Sequence, residues 1–187
     1  MSLVVIEPPV AIVSLEEAKA HLVIEHAEDD LILEGFIRAA CRWIDGPGTW
    51  LGRAIGLQVL EWQLASWPCN PLTLPCPPEV EIVSIKYIDP DGVERTLPLF
   101  EPLYLENLPA VCGRPGDIKI RYRAGYGARS EADPDAWVSA APPDIKVAVL
   151  MLVAQWYRHR SPVITGEALA QLPFAVEALL QPYRTFS

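Results

Sequence analysis

This 187-residue sequence lacks long hydrophobic runs, paired cysteines and an excess of basic residues. No apolar run approaches the roughly 20 residues that a membrane-spanning helix needs. The longest run, Val147 to Ala154, has the length of a core helix. The first residues contain Pro8-Pro9 and lack the basic lead of a signal peptide, so we expect neither a leader nor an association with a membrane.

The cysteine and charge content disfavour further classes of site and function. None of the four cysteines forms a C-x-x-C pair, which disfavours a zinc site, and a chain of this length needs no disulfide staples. We therefore expect a reducing compartment and a buried thiol at Cys41. The 15 Lys and Arg are outnumbered by 24 Asp and Glu, and the net charge is −9. Because phosphate contacts need clustered basic residues, this balance disfavours sequence-independent binding of nucleic acid.

Apolar residues make up 51% of the sequence, which is enough to build a sizeable core in a single domain. The periodicity predicts an α+β fold, in which a helical bundle is formed by the N- and C-terminal helices and a small antiparallel β-module is inserted between them. We expect one domain over 1–187, with a helical body at 1–56 and 140–187, a β insertion at 57–125 and a loop at 126–139.

Helical periodicity marks four segments. Ser14-x-x-Glu17 matches a capping box and begins a short helix that ends near His26. A second helix is predicted from residue 29 to residue 44. A third is predicted to begin at residues 142–144 and to end with residues 156–160, and a short fourth is predicted at 174–180. The polar residues of the second helix lie on one stripe, namely Glu34, Arg38, Arg42 and Asp45. Because the second and third helices show so little polar surface, we expect them to be covered on two sides or all round.

The middle of the chain has the period of β-strands. Ile118, Ile120 and Tyr122 alternate with basic residues, and the run from residue 89 to residue 92, Asp-Pro-Asp-Gly, predicts a tight turn. We expect about four to six short antiparallel strands here. Residues 1–13 are predicted to form an extended arm, and residues 125–141 a loop.

No arrangement of residues in the sequence predicts a reactive centre. His21 and His26 are five apart, which places them on different faces of a helix. The turn at Asp89 begins like a calcium loop, but Phe100 stands where the bidentate glutamate is required. Glu79 and Glu81 favour a solvated strand face over a catalytic carboxylate pair. We therefore predict no catalytic residue, no metal site and no cofactor.

One basic and aromatic cluster stands out from the rest. Arg121-Tyr122-Arg123 is followed closely by Tyr126. Such residues can stack on and clamp single-stranded nucleic acid, and they are also common anchors of protein interfaces. The acidic net charge favours the protein contact, and nucleic-acid binding through Arg121, Arg123 and Tyr126 is kept as an alternative.

Several motifs in their order resemble the head–tail connector (adaptor) proteins of long-tailed phages, prophages and phage-like gene transfer agents. The matching pieces span nearly the whole chain and include residues 14–22 (SLEEAKAHL), 29–32 (DDLI), 52–55 (GRAI), 121–127 (RYRAGYG), 142–150 (PPDIKVAVL) and 156–160 (WYRHR). The sequence departs from the family's pattern at residues 46–51, which intervene before Gly52-Arg53. The β-module is also large for such a protein.

The resemblance implies a structural virion protein and not an enzyme. It implies a ring, typically of twelve copies, that joins the capsid portal to the tail or to the next head-completion protein. Genomic DNA would pass through the lumen without specific binding. The protein would be assembled in the bacterial cytoplasm and would reside in the virion neck, and its C-terminal segment, Gln181 to Ser187, would dock on the portal.

The residues expected at subunit or partner interfaces combine the basic and aromatic cluster with aromatic and arginine residues of the helical segments. They are Trp43, Arg121, Arg123, Tyr126, Trp156, Tyr157, Arg158, Tyr183 and Arg184. The competing hypothesis is a small α+β ligand-binding domain or an enzyme of unknown substrate, which requires a pocket with convergent polar groups.

Overall fold

The computed structural model describes residues 2–68, 73–99, 108–130, 133, 137–159 and 174–185. Its elements confirm the predicted α+β class. They are β1 (Ser2–Glu7), α1 (Leu15–Leu22), α2 (Asp30–Ile44), β2 (Gln58–Leu64), β3 (Glu79–Ile88), β4 (Glu94–Leu97), β5 (Ile118–Ala124), β6 (Gly127–Arg129), β7 (Trp137–Ser139), α3 (Pro143–Arg158), α4 (Phe174–Leu180) and a final 3₁₀ turn (Gln181–Tyr183). None of the described helices combines the length and the hydropathy that crossing a bilayer requires.

The predicted capping box at the start of α1 is confirmed. The Ser14 backbone N–H donates to Glu17 Oε2 over 2.8 Å, and the Glu17 N–H donates to Ser14 Oγ over 3.1 Å. The helix ends at Leu22 and not near His26, because Val23 adopts a left-handed conformation with φ 59° and turns its N–H back to the Ala20 carbonyl. The residue types after Leu22 are compatible with a helix, so the sequence pattern did not indicate that the chain turns at Val23.

Val23 is a strained residue, since a β-branched side chain in the left-handed region crowds its own backbone. Val23→Gly should therefore raise the free energy of unfolding by about 1 kcal/mol, measured by urea denaturation. The matched control is Val93→Gly, because Val93 is also exposed but is not among the residues with positive φ. An unchanged or lower stability of Val23→Gly would contradict the strain.

The helices share one hydrophobic core, and α3 packs against α1, α2 and α4. α3 contributes Ile145, Val149 and Leu152 to this core, and α2 contributes Leu33 and Ile37, among others. In the single chain α2 has one buried face, formed by Leu33, Ile37, Ala40 and Ile44, whereas no residue of α3 from Ala148 to Tyr157 is exposed. The expectation that the long helices are covered on two sides or all round is therefore wrong for α2 in the isolated subunit, while α3 is covered around most of its circumference except at its ends and at Val147.

Large apolar side chains on the outer faces of both helices are exposed. Leu31 at the start of α2 is 80% exposed, and Val147 in the first half of α3 is 43% exposed. The neighbouring Ile32 is 40% exposed. The polar stripe on α2 is narrow because this apolar surface also faces outward, and no other described element covers it.

The main sheet has five antiparallel strands in the order β1-β2-β5-β3-β4. Residues 2–7 are not a free arm, because β1 pairs with β2 from Ser2↔Gln63 to Glu7↔Val59 and forms one edge of the sheet. This pairing joins residues about 60 positions apart, which local patterns do not report. The predicted loop at 125–141 also contains a second, two-stranded sheet, in which Gly127 pairs with Ser139.

The alternation predicted for β5 is confirmed. Ile118, Ile120 and Tyr122 are fully buried in a second hydrophobic core, which lies under the sheet and is covered by the loop residues Leu74 and Cys76. The Tyr122 hydroxyl donates to the Pro75 carbonyl, and burial raises the pKa of this phenol. Tyr122 is thus a core residue and is excluded from the basic and aromatic surface.

The turn between β3 and β4 is the predicted tight turn. Asp89 Oδ1 accepts hydrogen bonds from the backbone N–H groups of Asp91 and Val93, and Oδ2 accepts one from Arg95 Nε over 2.6 Å. The Arg95 hydrogen bond, followed by that from Val93, lowers the pKa of Asp89. Both carboxylate oxygens of Asp89 thus accept hydrogen bonds from residues of the same hairpin, which agrees with the prediction of a tight turn.

Candidate interface surfaces

The C-terminal end of the chain gathers several of the predicted interface residues into one surface. Trp43 stacks on Trp50 with ring centroids 5.7 Å apart, and the Arg184 guanidinium lies 4.8 Å from the Trp50 ring centroid. Tyr126 and Tyr183 meet edge to face at 6.4 Å. We call these residues (Trp43, Trp50, Tyr126, Tyr183, Arg184) the C-terminal seam. Trp50 was missed from the sequence because it lies in a turn without periodicity.

The seam is held by the turn at residues 51–53. The Thr185 backbone N–H donates to the Leu51 carbonyl over 2.9 Å, and its hydroxyl lies 2.8 Å from the carbonyl oxygens of both Leu51 and Gly52. Gly52 has φ +66°, and a Cβ there would lie 2.9 Å from Thr185 Oγ1. Arg53 donates to the Tyr126 hydroxyl over 2.6 Å. The C-terminal segment therefore packs against the turn that contains the Gly52-Arg53 motif.

Tyr183 connects the seam to the first turn of α3. Its hydroxyl lies 3.2 Å from Asp144 Oδ2 and donates to it. Desolvation, together with this hydrogen bond to a carboxylate, raises the pKa of Tyr183. The described part of the C-terminal segment is thus bound to its own subunit, while residues 186 and 187 lie outside the described residues.

Removing the Thr185 hydroxyl should loosen this segment. In Thr185→Val the backbone hydrogen bond stays, but both hydroxyl contacts are lost, at a cost of about 1 kcal/mol. We expect amide hydrogen exchange in residues 181–185 to accelerate roughly fivefold. Thr96→Val on the exposed edge strand β4 is the control. Unchanged exchange would show that the hydroxyl does not hold the segment.

The arginines of β5 lie on the outer face of the main sheet and are paired with acids. Arg121 donates to Glu61 over 2.8 Å, and Arg123 lies 3.3 Å from Glu81. Burial acts to raise the pKa of Glu61, but the hydrogen bonds from Gln63 and Arg121 outweigh it, and the pKa is lowered. The guanidinium charges are therefore largely compensated within the subunit.

The second sheet extends this paired surface. Arg129 lies 3.0 Å from Glu81, and Arg123 and Arg129 lie 5.2 Å and 4.9 Å from the Trp137 ring centroid. Tyr126, in contrast, packs against the helical core. The structure thus does not bring Arg121, Arg123 and Tyr126 together as one stacking clamp for nucleic acid.

The remaining predicted interface residues, Trp156, Tyr157 and Arg158, lie at the end of α3. Trp156 is half-buried and meets Phe36 edge to face at 6.3 Å, and the Tyr157 hydroxyl donates to Asp29 before α2. Arg158 is exposed. These side chains join α3 to α2 within the subunit. Nothing in the single chain tests whether any of the predicted residues contacts a partner, so that assignment stays a prediction.

A buried carboxylate lies where the two cores meet, and sequence reasoning misplaced it. Asp45 was assigned to the polar stripe of α2 but is only 7% exposed. Its Oδ1 accepts hydrogen bonds from Ile55 N over 2.7 Å and Gln58 Nε2 over 2.8 Å, and its Oδ2 accepts one from Gly56 N over 2.8 Å. Desolvation raises the pKa of Asp45 to about 6, against the opposing effect of these hydrogen bonds.

Asp45 and Gln58 form the floor of a cavity of about 520 Å³ between α2 and residues 5–11. Within the described residues, no three His, Cys, Asp or Glu side chains come close enough to hold a metal ion. The Cys41 thiol also lines this cavity, and burial raises its pKa, which keeps the thiol protonated. The arrangement offers hydrogen-bond acceptors and apolar walls and contains no activated nucleophile.

The whole fold has counterparts in the necks of gene transfer agent (GTA) particles. A chain from a structure described as the neck of an empty GTA particle, computed with C6 symmetry, is 25% identical with a TM-score of 0.72 and covers 100% of this chain and 97% of that one. A chain from a native GTA virion gives the same values. A chain from the native neck, computed with C12 symmetry, has 22% identity and a TM-score of 0.61, and shows the fold alone.

These structures confirm the resemblance to connector-type proteins of the neck in phage-like particles. Neither a protein-family model nor a curated protein sequence matches the chain. The likeness is therefore carried by the three-dimensional arrangement over the full chain, together with an identity of 25%.

Proposed function

We propose that this chain is a structural subunit of the neck of a phage-like particle. In this role it forms a ring that joins the capsid portal to the tail or to the next head-completion protein. The single observation that carries the proposal is the full-length match to a GTA neck chain at a TM-score of 0.72. The proposed location is the virion neck, after assembly in the bacterial cytoplasm.

The outer faces of the helices support ring formation. A ring with cyclic symmetry needs two different surfaces on each subunit, one for each neighbour. Leu31 and Val147 place exposed apolar area on α2 and α3, at 80% and 43% exposure. A second copy would remove this area from water, and a lasting contact of this kind buries more than about 1,000 Å². The C6 and C12 symmetries of the similar neck structures accord with such an assembly.

The charge distribution supports passage of DNA without binding. The chain has a net charge of −9, and the arginines of the sheet surface are paired with Glu61 and Glu81. Fixed negative charge repels phosphate and prevents DNA from being trapped as it moves through a lumen. This is the opposite of the uncompensated basic groove that single-strand binding requires.

The C-terminal seam is the proposed contact with the portal. Residues 181–185 are already ordered against Trp50 and Gly52, so the partner would meet a preformed surface and pay little ordering entropy. Aromatic and arginine side chains such as Tyr183 and Arg184 are the types that most often anchor interfaces. Both are half-buried and thus offer part of their surface to a partner.

The proposal is tested by mixing the purified chain with the portal protein encoded beside it and imaging the mixture by electron microscopy. We expect a ring at the outer end of the portal. Tyr183→Ala combined with Arg184→Ala should reduce the number of decorated portals while the subunit stays folded. Val93→Asp on the β3–β4 turn serves as the matched surface control. A chain that stays a compact monomer beside bare portals at every salt and protein concentration would contradict the proposed function.

A further inference from the structure

The cavity beside α2 has the features of a docking site for a particular kind of segment. Its walls are apolar, with contributions from residues 8–11 and Ile37, and Arg38 and Arg42 stand at its rim. Both arginines are exposed; Arg38 donates to the Glu34 carbonyl over 3.3 Å and lies 3.9 Å from the Glu34 carboxylate, one turn earlier in the helix. A complementary occupant of this cavity would therefore carry an apolar side chain flanked by negatively charged residues.

The floor of the cavity adds a hydrogen-bonding requirement. Gln58 is 2% exposed, and its amide nitrogen donates to Asp45. Its Oε1 is buried and has no hydrogen-bond partner among the described residues. A buried acceptor without a donor is costly, so an occupant that supplies an N–H group is favoured.

The loop between α1 and α2 presents the complementary features. Val23 is 85% exposed and held outward by its left-handed backbone, and Leu31, in the first turn of α2 directly after the loop, is 80% exposed. Glu25 and Glu28 are exposed between them. Among the described residues, the backbone N–H groups of residues 25–28 have no backbone acceptor. The loop is therefore apolar and acidic, with Glu28 also 2.8 Å from His26 Nδ1, and it presents backbone donors without backbone acceptors.

We propose that this cavity receives the α1–α2 loop of a second copy of the chain. Apolar walls meet Val23, the rim arginines meet Glu25 and Glu28, and a loop N–H group reaches Gln58 Oε1. The inference rests on the proposed ring: each subunit gives its loop to one neighbour and takes the loop of the other. Strain at Val23 then has a role, because it holds an apolar side chain where only a partner can cover it.

The contact is tested by disulfide cross-linking of the full chain. Ala27→Cys on the loop is combined with Val10→Cys at the cavity wall, after Cys41, Cys69 and Cys112 are replaced by alanine. We expect a ladder of covalent multimers, both on the portal and at high concentration of the chain alone. The control pair, Ala27→Cys with Val93→Cys, places the second thiol on the β3–β4 turn and should give only monomer. Products that stop at two copies would overturn the head-to-tail arrangement.

Two further variants of the cross-linking pair separate the contact from folding. Val23→Gly relieves backbone strain, so a roughly fivefold loss of cross-linked product in this variant comes from the missing side chain and not from unfolding. Arg42→Glu should reduce the yield by a similar factor, and Glu25→Arg or Glu28→Arg should restore it. Unchanged yields in Val23→Gly and Arg42→Glu would overturn the proposed occupant.

The results also distinguish this inference from the proposed function. Rings on the portal without any cross-link between residues 27 and 10 would leave the neck function standing and reject the docking site. A cross-linked ladder that never decorates the portal would support the docking site and reject the neck role. If neither forms, both are rejected.

Discussion

Gly125→Ala should prevent the chain from folding, or lower the free energy of unfolding by more than about 4 kcal/mol. Gly125 has φ +117°, and a Cβ there would lie 2.4 Å from the Gly56 carbonyl oxygen and 2.9 Å from Leu57 Cα. These are backbone atoms at the crossing between the helical core and the sheet, so neither can yield cheaply. Urea denaturation, or the yield of soluble protein, measures the effect.

The partner glycine at this crossing should behave in the same way. A Cβ on Gly56 would lie 2.3 Å from the Val10 carbonyl oxygen and 2.9 Å from Asp45 Oδ2. The control is Gly35→Ala on α2, which meets nothing within 4 Å and should raise stability by about 1 kcal/mol through helix propensity. If Gly125→Ala or Gly56→Ala folds with the stability of the parent chain, the close crossing described here is wrong.

Asp45→Ala should lower the free energy of unfolding by about 3 kcal/mol. The substitution removes the acceptor of two buried backbone N–H groups, those of Ile55 and Gly56, and of the Gln58 amide. Asp91→Ala in the exposed β3–β4 turn is the matched control and should stay within about 0.5 kcal/mol of the parent. A loss below 1 kcal/mol would show that these hydrogen bonds contribute little.

The raised pKa of Asp45, about 6, also sets a pH dependence. The folded chain holds the Asp45 proton more tightly than the unfolded chain, so this group favours folding at low pH. That stabilisation is lost as pH rises from about 4 to about 6. Between pH 4.5 and pH 7.5 the parent should lose roughly 2 kcal/mol of stability relative to Asp45→Asn, which does not titrate.

Other carboxylates in the chain act in the opposite direction and at lower pH. The pKa values of Glu17, Glu61, Asp89 and Glu94 are lowered by their hydrogen bonds and ion pairs, so their stabilisation is lost as pH falls below about 4.5. The parent chain and Asp45→Asn both contain these four carboxylates, so their contributions cancel when the stabilities of the two proteins are compared. A stability difference that does not change with pH would place the Asp45 carboxyl in a more polar environment than its burial indicates.

Much of the local structure could be predicted because its cause is local. Ser14 and Glu17 are three residues apart, and each satisfies the other's backbone, so a helix start shows in the sequence. The same holds for the Asp89 turn and for the alternation of Ile118, Ile120 and Tyr122 along β5. The motifs that resemble neck connectors were also visible in order along the chain, and the fold agrees with them.

The candidate surfaces were predicted only in part. Tyr126, Tyr183 and Trp43 were singled out as aromatic anchors, but the sequence did not show that they share one seam or that Trp50 and Thr185 complete it. Arg121 and Tyr126 stand close in sequence, yet Arg121 lies on the outer face of the sheet and Tyr126 packs against the helical core, because a strand ends between them and the chain turns at Gly125. Proximity in sequence was therefore a poor guide to proximity on the surface.

By itself, the sequence determined the α+β class, the helix beginning at its capping box, the hairpin turn and the acidic character of the subunit, because each depends on neighbouring residues or on composition. Only the tertiary structure decided that residues 2–7 join the sheet, that Asp45 is buried, and that Gly56 and Gly125 touch. Those features depend on which distant backbone groups meet. The pairing of β1 with β2, the hydrogen bonds to Asp45 and the contact between Gly56 and Gly125 all join residues that come together only in the folded chain.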